Sequence, residues 1–308
     1  MNLSNFRILL DVTSGPLSWI HPSLRLAIAR AIKSEAIRTV LDPNSINSRH
    51  KNRFGDVNKE IQLGVDGKLF VNINEMIGYR SSLDSNWDST TLRVAELLKF
   101  DNLFYIDIGA NIGATLIPIA AKGSRCIAFE PNLDVAWRLL INVSINRCDK
   151  VEIFLNALAD IELKDSWMHL KVDAGNSGAA SLFDGTITEQ HTQTVKITTL
   201  DDAVSRDFLN SLETCSGRLL LKVDVEGYEA KVIQGALSTI KTFSPVIILE
   251  HNPGKELQTV LVELELLGYQ IYAISEDLLL SEVNTSTRYE NIVAIPQWAL
   301  DLFTNFTK

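Results

Sequence analysis

Cysteine is scarce in this chain of 308 residues, and the three present, Cys126, Cys148 and Cys215, lie far apart with no C-x-x-C among them. An odd and scattered set supports neither a disulfide framework nor a zinc site, so a reducing cytoplasm is the predicted setting. Long apolar runs are missing as well. No stretch approaches the roughly 18 residues that a membrane-spanning helix needs, and no basic segment followed by an apolar one opens the chain, which disfavours spanning and secretion. Internal repeats and low-complexity tracts are absent. So is an excess of positive charge: the net charge of −9 excludes a general nucleic-acid binder. The balance is uneven, because residues 1–55 hold eight Lys and Arg against three acids, a net of +5, which leaves −14 for the remainder.

What is there is ordinary globular material, 46% hydrophobic, with enough apolar side chain to bury a full core. Residues 1–55 read as a basic helical extension. His21-Pro22-Ser23 starts a helix in which Leu24, Ile28, Ala31, Ile32 and Ala36 form one stripe, with Arg25, Arg30, Lys33 and Arg38 outside it. Two readings stay open: this helix lies peripherally on an anionic membrane surface, or it packs on the domain or on a second copy in a homodimer. Asp42 to Gly55 reads as a linker.

Residues 56–100 lead into the core. The alternation from Ile61 to Ile73 predicts a hairpin turning at Asp66-Gly67, and Ser89 to Lys99 predicts a helix capped by Asp88 or Ser89. Between them lies a polar and aromatic cluster with Tyr79 and Trp87, which reads as a substrate lip or as a structured loop without a ligand.

From residue 101 to 308 strands and helices alternate. Strands are predicted at Phe104–Asp107, Arg125–Glu130, Val151–Asn156, Arg218–Asp224, Pro245–Glu250, Gln270–Ile274 and Asn291–Pro296. Helices are predicted at Ala114–Lys122, Leu133–Arg147, Thr199–Leu212 and Glu256–Leu267, with another after Glu229. Seven strands with helices between most of them make a doubly wound α/β sheet. The rhythm changes at Ser166–Val172 and Thr194–Thr198, which alternate like antiparallel strands around a loop, 173–182, that carries Asn176 and Ser177 and reads as a functional insertion or a plain solvated loop.

One stretch organises the rest: Phe104-Tyr-Ile-Asp-Ile-Gly-Ala-Asn-Ile-Gly113 reads as strand, tight turn and helix start. Its glycines let the backbone approach a ligand, and the helix start is expected to offer unpaired N–H groups. The pattern departs from G-x-G-x-x-G by placing Asp107 before the first glycine. A carboxylate there repels a pyrophosphate but suits a ligand with an ammonium and a sulfonium, as S-adenosylmethionine has. Glu130 follows Asp107 by 23 residues and ends the next strand, the place where an acid meets a ribose diol.

The other strand ends extend an acidic rim: Asn156-Ala157, Asp224 with Glu226, and Glu250-His251. Asp224, Glu226 and His251 are the candidate bases, since a positioned proton acceptor contributes about 10²–10⁴-fold. Asp224, Glu226 and Glu250 are hard oxygen donors, but their spacing does not specify a metal.

Taken together, Asp107-Ile-Gly-Ala-Asn-Ile-Gly113, Phe129-Glu-Pro-Asn132, Asn176-Ser-Gly with Ser181-Leu182, Thr199-Leu-Asp-Asp202 and Lys222-Val-Asp-Val-Glu-Gly227 resemble the FkbM family of S-adenosylmethionine-dependent methyltransferases. The resemblance implies a seven-stranded class I methyltransferase (Rossmann-like) sheet with a helical and hairpin extension, S-adenosylmethionine as cofactor, and a small-molecule or glycan acceptor methylated on a hydroxyl. It implies that Asp107, Gly109, Asn111 and Gly113 hold the methionine part, Glu130 the ribose, and Asn156-Ala157 the adenine end, with Ala110 and Pro131 also among the cofactor-binding residues. The sequence departs from the family where alanines follow Asn176-Ser-Gly and in the basic head before Asp56. Asp224-Val-Glu-Gly227 also differs from the Asn/Asp-Pro-Pro-Tyr/Phe motif of amino-group methylation, which favours oxygen. The rival readings are a catalytically silent adenosyl-binding module docked to a partner or membrane, and an NAD-dependent oxidoreductase.

Overall fold

A computed structural model describes residues 21, 23, 26, 57–63, 67–83, 88–173, 176–183, 192–204, 206–214, 217–250, 255–283, 289 and 291–306. The basic helix expected over 24–41 and the linker expected before Gly55 lie outside the described residues, apart from Leu26.

Strands β1 (Asn58–Leu63) and β2 (Gly67–Asn72) form the expected antiparallel hairpin, with Ile61 opposite Leu69 and both turned inward. Helix α1 (Met76–Leu83) follows, then α2 (Ser89–Leu97), whose cap is Asp88: its Oδ1 accepts the Thr91 N–H at 3.1 Å. The chain continues through β3 (Leu103–Ile108), α3 (Leu116–Ala120), β4 (Arg125–Phe129), α4 (Leu133–Ile145) and β5 (Val151–Phe154). Next come β6 (Ala157–Leu158), β7 (Trp167–Asp173), β8 (Asn176–Phe183) and β9 (Thr192–Thr198). The remainder runs α5 (Leu200–Ala203), α6 (Arg206–Thr214), β10 (Arg218–Val223), α7 (Glu229–Gln234), α8 (Leu237–Phe243), β11 (Val246–Glu250), α9 (Lys255–Leu266), β12 (Gln270–Ile274), β13 (Leu280–Glu282), β14 (Asn291–Ile295) and α10 (Leu300–Phe303).

The main sheet has the order β13-β12-β14-β11-β10-β3-β4-β5. From β5 to β11 every pairing is parallel, and β14 inserts antiparallel between β11 and β12. The order reverses between β3 and β10, so the ligand crevice of an open α/β sheet is expected at the carboxyl ends of those two strands. β3 is buried throughout, as a strand covered on both faces should be. Leu103 and Tyr105 join a core cluster with the hairpin, α1 and α2, whereas Phe104, Ile106 and Ile108 join a second cluster with α7, α8 and α9.

Four expectations change. The sheet has an eighth strand, β13, whose three residues are too short to alternate visibly and which turns out of β12 through Leu278 at φ 61. The expected loop 173–182 is mostly strand: β8 pairs with β7 in a separate sheet of order β6-β9-β7-β8. Its small residues concealed it, because an Asn-Ser-Gly-Ala-Ala run carries no apolar alternation. The Thr199 helix breaks at Val204, whose ψ of 121 is extended, and continues as α6. Helix α3 is five residues instead of the expected nine, since Thr115 lies outside it with its hydroxyl on Asp107.

The hairpin is fastened to the main sheet's α4 by two amides one turn apart. Asn142 Oδ1 accepts the Phe70 N–H at 2.6 Å and Asn146 Oδ1 accepts the Lys68 N–H at 2.8 Å. Their Nδ2 groups donate back to the Phe70 carbonyl at 3.3 Å and the Lys68 carbonyl at 2.7 Å. Asn142 Nδ2 also donates to the Ile112 carbonyl at 2.7 Å, so the hairpin, α4 and the turn after β3 share one buried side chain.

Candidate functional site

The turn after β3 is closed on itself. Gly109 and Ala110 both donate their N–H to the Phe129 carbonyl, at 3.0 and 3.1 Å. Asn111 donates to Glu130 Oε2 at 2.8 Å, Ile112 to the Asn111 side chain at 2.9 Å, and Gly113 to the Ala110 carbonyl at 2.8 Å. Five consecutive N–H groups therefore have partners inside the protein. From Gly109 to Gly113 the turn itself therefore holds no nest of donors for a phosphate. Two glycines are required by this geometry. A Cβ on Gly109, at φ 87, would lie 1.9 Å from the Asp224 carbonyl oxygen, and one on Gly113, at φ 86, 2.8 Å from Leu139 Cδ1.

Glu130 is 6% exposed and ties two turns together, its Oε1 accepting the Asn132 N–H and its Oε2 that of Asn111, both at 2.8 Å. Burial pushes its carboxyl up to about 7, against the pull of those two hydrogen bonds. Each oxygen keeps a further lone pair, which is what a ribose diol would use. Pro131 follows it, and Asn132 caps α4 through the Asp134 N–H at 3.0 Å while accepting Gln193 Nε2 of β9 at 3.0 Å.

Asp107 is fully buried. Its Oδ2 accepts the Thr115 hydroxyl at 2.9 Å, and its Oδ1 has no hydrogen-bond partner in the protein. Burial raises its carboxyl, and the Lys222 charge works against that rise. Asp107 thus acts on the turn from beneath rather than as an exposed wall.

The acidic rim contains a cation that the sequence reading overlooked. Lys222, level with Asp107 on the neighbouring strand, is 6% exposed, and its Nζ lies 2.7 Å from Asp224 Oδ2 and 4.0 Å from Asp88 Oδ2. The signal was available: a lysine in the buried run Arg218-Leu-Leu-Leu-Lys-Val223 must find carboxylates, because lysine is almost never fully buried unpaired. Asp88 was missed for a different reason, since a helix cap gave no hint that its second oxygen faces the sheet. Glu226 is half-buried at φ 48 beside Gly227 at φ 94, in a sharp turn whose Gly227 N–H is held by Glu229 at 3.0 Å.

The remaining candidates separate. Asn156 is half-buried with Nδ2 3.4 Å from the Lys196 carbonyl, and Ala157 is buried in the core of the smaller sheet, opposite Ile197. Asn176 and Ser177 lie on strand β8. Tyr79 does not form a lip. It is 1% exposed within the core, because Gly78, whose Cβ would meet the Asn72 carbonyl oxygen at 2.2 Å, seats α1 directly on the end of β2. Trp87 and His251 lie outside the described residues. Among the described residues no three His, Cys, Asp or Glu are grouped as a metal site, and no helix is long and apolar enough to cross a membrane.

The family profile of the Methyltransferase FkbM domain matches residues 107–271, more than half of the chain. The chain belongs to the FkbM methyltransferase family. Among solved structures, methyltransferase FkbM from Methylobacillus flagellatus KT is 16% identical, covering 63% of this chain and 43% of that one, with a TM-score of 0.39. Precorrin-6y C5,15-methyltransferase from Geobacter metallireducens GS-15 is 16% identical over 67% of this chain and 87% of that one, with a TM-score of 0.34. The T. thermophilus 16S rRNA N2 G1207 methyltransferase, in complex with AdoMet and guanosine, is 14% identical over 78% and 50%, with a TM-score of 0.39. The chain thus spans less than half the length of the M. flagellatus protein. No curated protein matches the sequence.

The family's cofactor is S-adenosylmethionine. The residues fit it: a turn without bulky side chains at Gly109 and Gly113, a buried carboxylate with free lone pairs at Glu130, and the unpartnered Asp107 Oδ1 beneath.

Proposed function

We propose that this FkbM-family chain transfers a methyl group from S-adenosylmethionine to a hydroxyl of a glycan, sugar or related natural product. The observation that carries the cofactor half is the internal pairing of all five N–H groups from Gly109 to Gly113 beside Asp107 and Glu130. A turn without free donors and lined with carboxylates favours a cationic ligand over a pyrophosphate, which counts against a nicotinamide dinucleotide. The bound cofactor supplies an electrophilic methyl carbon on sulfur.

In this reading the turn and Glu130 hold and orient it, with Asp107 contributing its field from below. The acceptor comes to the rim at Asp224, whose side chain is 40% exposed, with Glu226 in the adjoining turn. Alignment of the acceptor oxygen contributes several of the roughly 7–11 kcal/mol attributed to well-oriented reactions. Oxygen is the favoured nucleophile because Asp224-Val-Glu-Gly227 stands where amino-group methylation uses a Pro-Pro motif, and in this reading the hydroxyl proton leaves to a carboxylate of the rim around Asp224.

The test is transfer of labelled methyl from S-adenosylmethionine into fractionated host extract. The expected product is a saccharide or small hydroxylated metabolite whose label survives mild alkali, as an ether does and an ester does not. Label confined to nucleic acid or protein would refute the acceptor class.

A further inference from the structure

Asp88, Asp224 and Glu250 stand around the Lys222 ammonium with Asp107 buried beneath them, and their other bonds sort them. Asp88 caps α2 with both oxygens, accepting the Thr91 N–H at 3.1 Å and the Thr91 hydroxyl at 2.8 Å. Asp107 is fully buried under the turn. That leaves Asp224, 2.7 Å from Lys222 Nζ, as the lysine's partner that reaches solvent. Glu250 ends the adjacent parallel strand, where Val223 is level with Leu249, so the Asp224 and Glu250 carboxyls stand side by side at neighbouring strand ends and feel each other's charge.

We infer that Asp224 and Glu250 form one proton-sharing pair that takes the proton of the methyl acceptor, and that Lys222 is the positioning residue of that pair. This rests on the oxygen-directed reading above. Two adjacent carboxyls do not both ionise readily, so between them they carry a proton over a wide pH range. Lys222 touches only one member. Its ammonium makes Asp224 the ionised partner and leaves the proton on Glu250, and its neighbour Asp88 fixes the ammonium from the α2 side.

The electrostatics agree. Burial works against the Asp224 charge, yet the Lys222 charge and hydrogen bond hold that carboxyl below its usual range. Burial and then the Asp224 charge push Glu250 up to about 8, helped by Glu226 and Glu229 from the turn and α7. Burial lowers Lys222, but Asp224, Asp107 and Asp88 together raise it, so it stays cationic. His251, next to Glu250, lies outside the described residues. A base with a pKa near the working pH is the effective kind, which selects Glu250 over Asp224, held below its usual range.

The transfer balances. The reacting form is the one in which Glu250 has released its proton to solvent: as the acceptor oxygen forms its bond to the methyl carbon, its O–H bond breaks and the proton passes to the ionised Glu250, which gives it up again before the next turnover. The electron pair of the broken carbon–sulfur bond stays on sulfur, which goes from sulfonium to neutral thioether, so one positive charge leaves sulfur and one proton arrives at a carboxylate.

Two measurements on the full chain test this. The first needs no acceptor: NMR of carboxyl-labelled Asp and Glu is followed against pH. One carboxyl is expected to titrate near 8, to vanish in Glu250→Gln, to persist in Lys222→Arg and to shift by about one unit or more in Lys222→Met. If Glu250→Gln removes no signal titrating above about 6.5, the pair is refuted, whether or not the lysine variants fold.

The second is the pH dependence of labelled transfer to the active hydroxyl fraction. The wild-type kcat is expected to rise with pH and level off above about 8. Glu250→Gln is expected to lower kcat about 10²–10⁴-fold, to flatten that limb and to leave KM for S-adenosylmethionine within about threefold. An unchanged kcat and an unchanged limb in Glu250→Gln overturn the base role. Absence of any hydroxyl acceptor refutes the oxygen reading and the base role with it, whereas the NMR titration by itself decides the pair.

Discussion

Asn111 and Asn132 approach the same buried carboxylate from opposite sides, each donating its backbone N–H to one oxygen of Glu130 at 2.8 Å. One side chain thus locks the turn after β3 to the start of α4. Replacing it with glutamine turns one oxygen into a donor that faces another donor. Glu130→Gln is expected to weaken S-adenosylhomocysteine binding about 10–100-fold, since an unsatisfied buried group costs about 1–3 kcal/mol. Calorimetric titration measures this, and wild-type affinity would remove Glu130 from the cofactor site.

Gly109 offers a sharper steric test. A methyl there would overlap the Asp224 carbonyl oxygen at 1.9 Å and would also have to adopt φ 87. Gly109→Ala is expected to lose detectable cofactor binding and to destabilise the fold by at least about 1–3 kcal/mol. Chemical denaturation and calorimetry read the two effects, and a variant that binds normally would show that the turn tolerates the shift.

Two raised carboxyls make stability depend on pH in a direction opposite to that of salt-bridged acids. Burial lifts Glu130 to about 7 and Glu250 to about 8, above the ordinary value of 4.5 for a glutamate. Below that ordinary value both folded and unfolded chains are protonated and the groups contribute nothing. Between it and about 8 the folded chain keeps protons that the unfolded chain has released, so stability falls as pH rises. The thermal midpoint is expected to be higher near pH 5.5 than near pH 8.5, by a few degrees, roughly the size of a 1 kcal/mol change in a domain this large. Glu130→Gln should lessen the slope; a midpoint that climbs across this range contradicts the burial argument.

Asn142 joins three backbone groups, the Phe70 N–H, the Phe70 carbonyl and the Ile112 carbonyl. Asn142→Ala strands them in a buried site, and a loss of about 2–4 kcal/mol is expected. Because one partner belongs to the turn after β3, cofactor affinity should drop along with the denaturation midpoint. A loss of stability without any loss of affinity would show that the hairpin and the turn are energetically separate.

The fold was legible where periodicity is strong. The runs at Phe104–Asp107, Arg218–Asp224 and Pro245–Glu250 are nearly continuous apolar segments, as strands buried on both faces must be, and each lies in the main sheet. β8 escaped because its residues are small, and β13 because three residues carry no period. In the site, the acids could be read from strand ends, but their partners could not. Asp107, Asp88 and Asp224 meet at Lys222 only when β3, β10 and α2 are brought together, and sequence spacing does not encode that meeting. Tyr79 shows the converse: a polar aromatic among polar neighbours suggested a surface, and Gly78 drew it inside.

The paired amides of Asn142 and Asn146 have one more consequence. A two-stranded ribbon leaves an open row of N–H and C=O groups along its outer border, which invites a foreign strand to dock and seed aggregation. Here two side chains, spaced by a helical turn, occupy that border at Lys68 and Phe70 as a surrogate third strand. On its β2 side the ribbon is closed to strangers without an added strand.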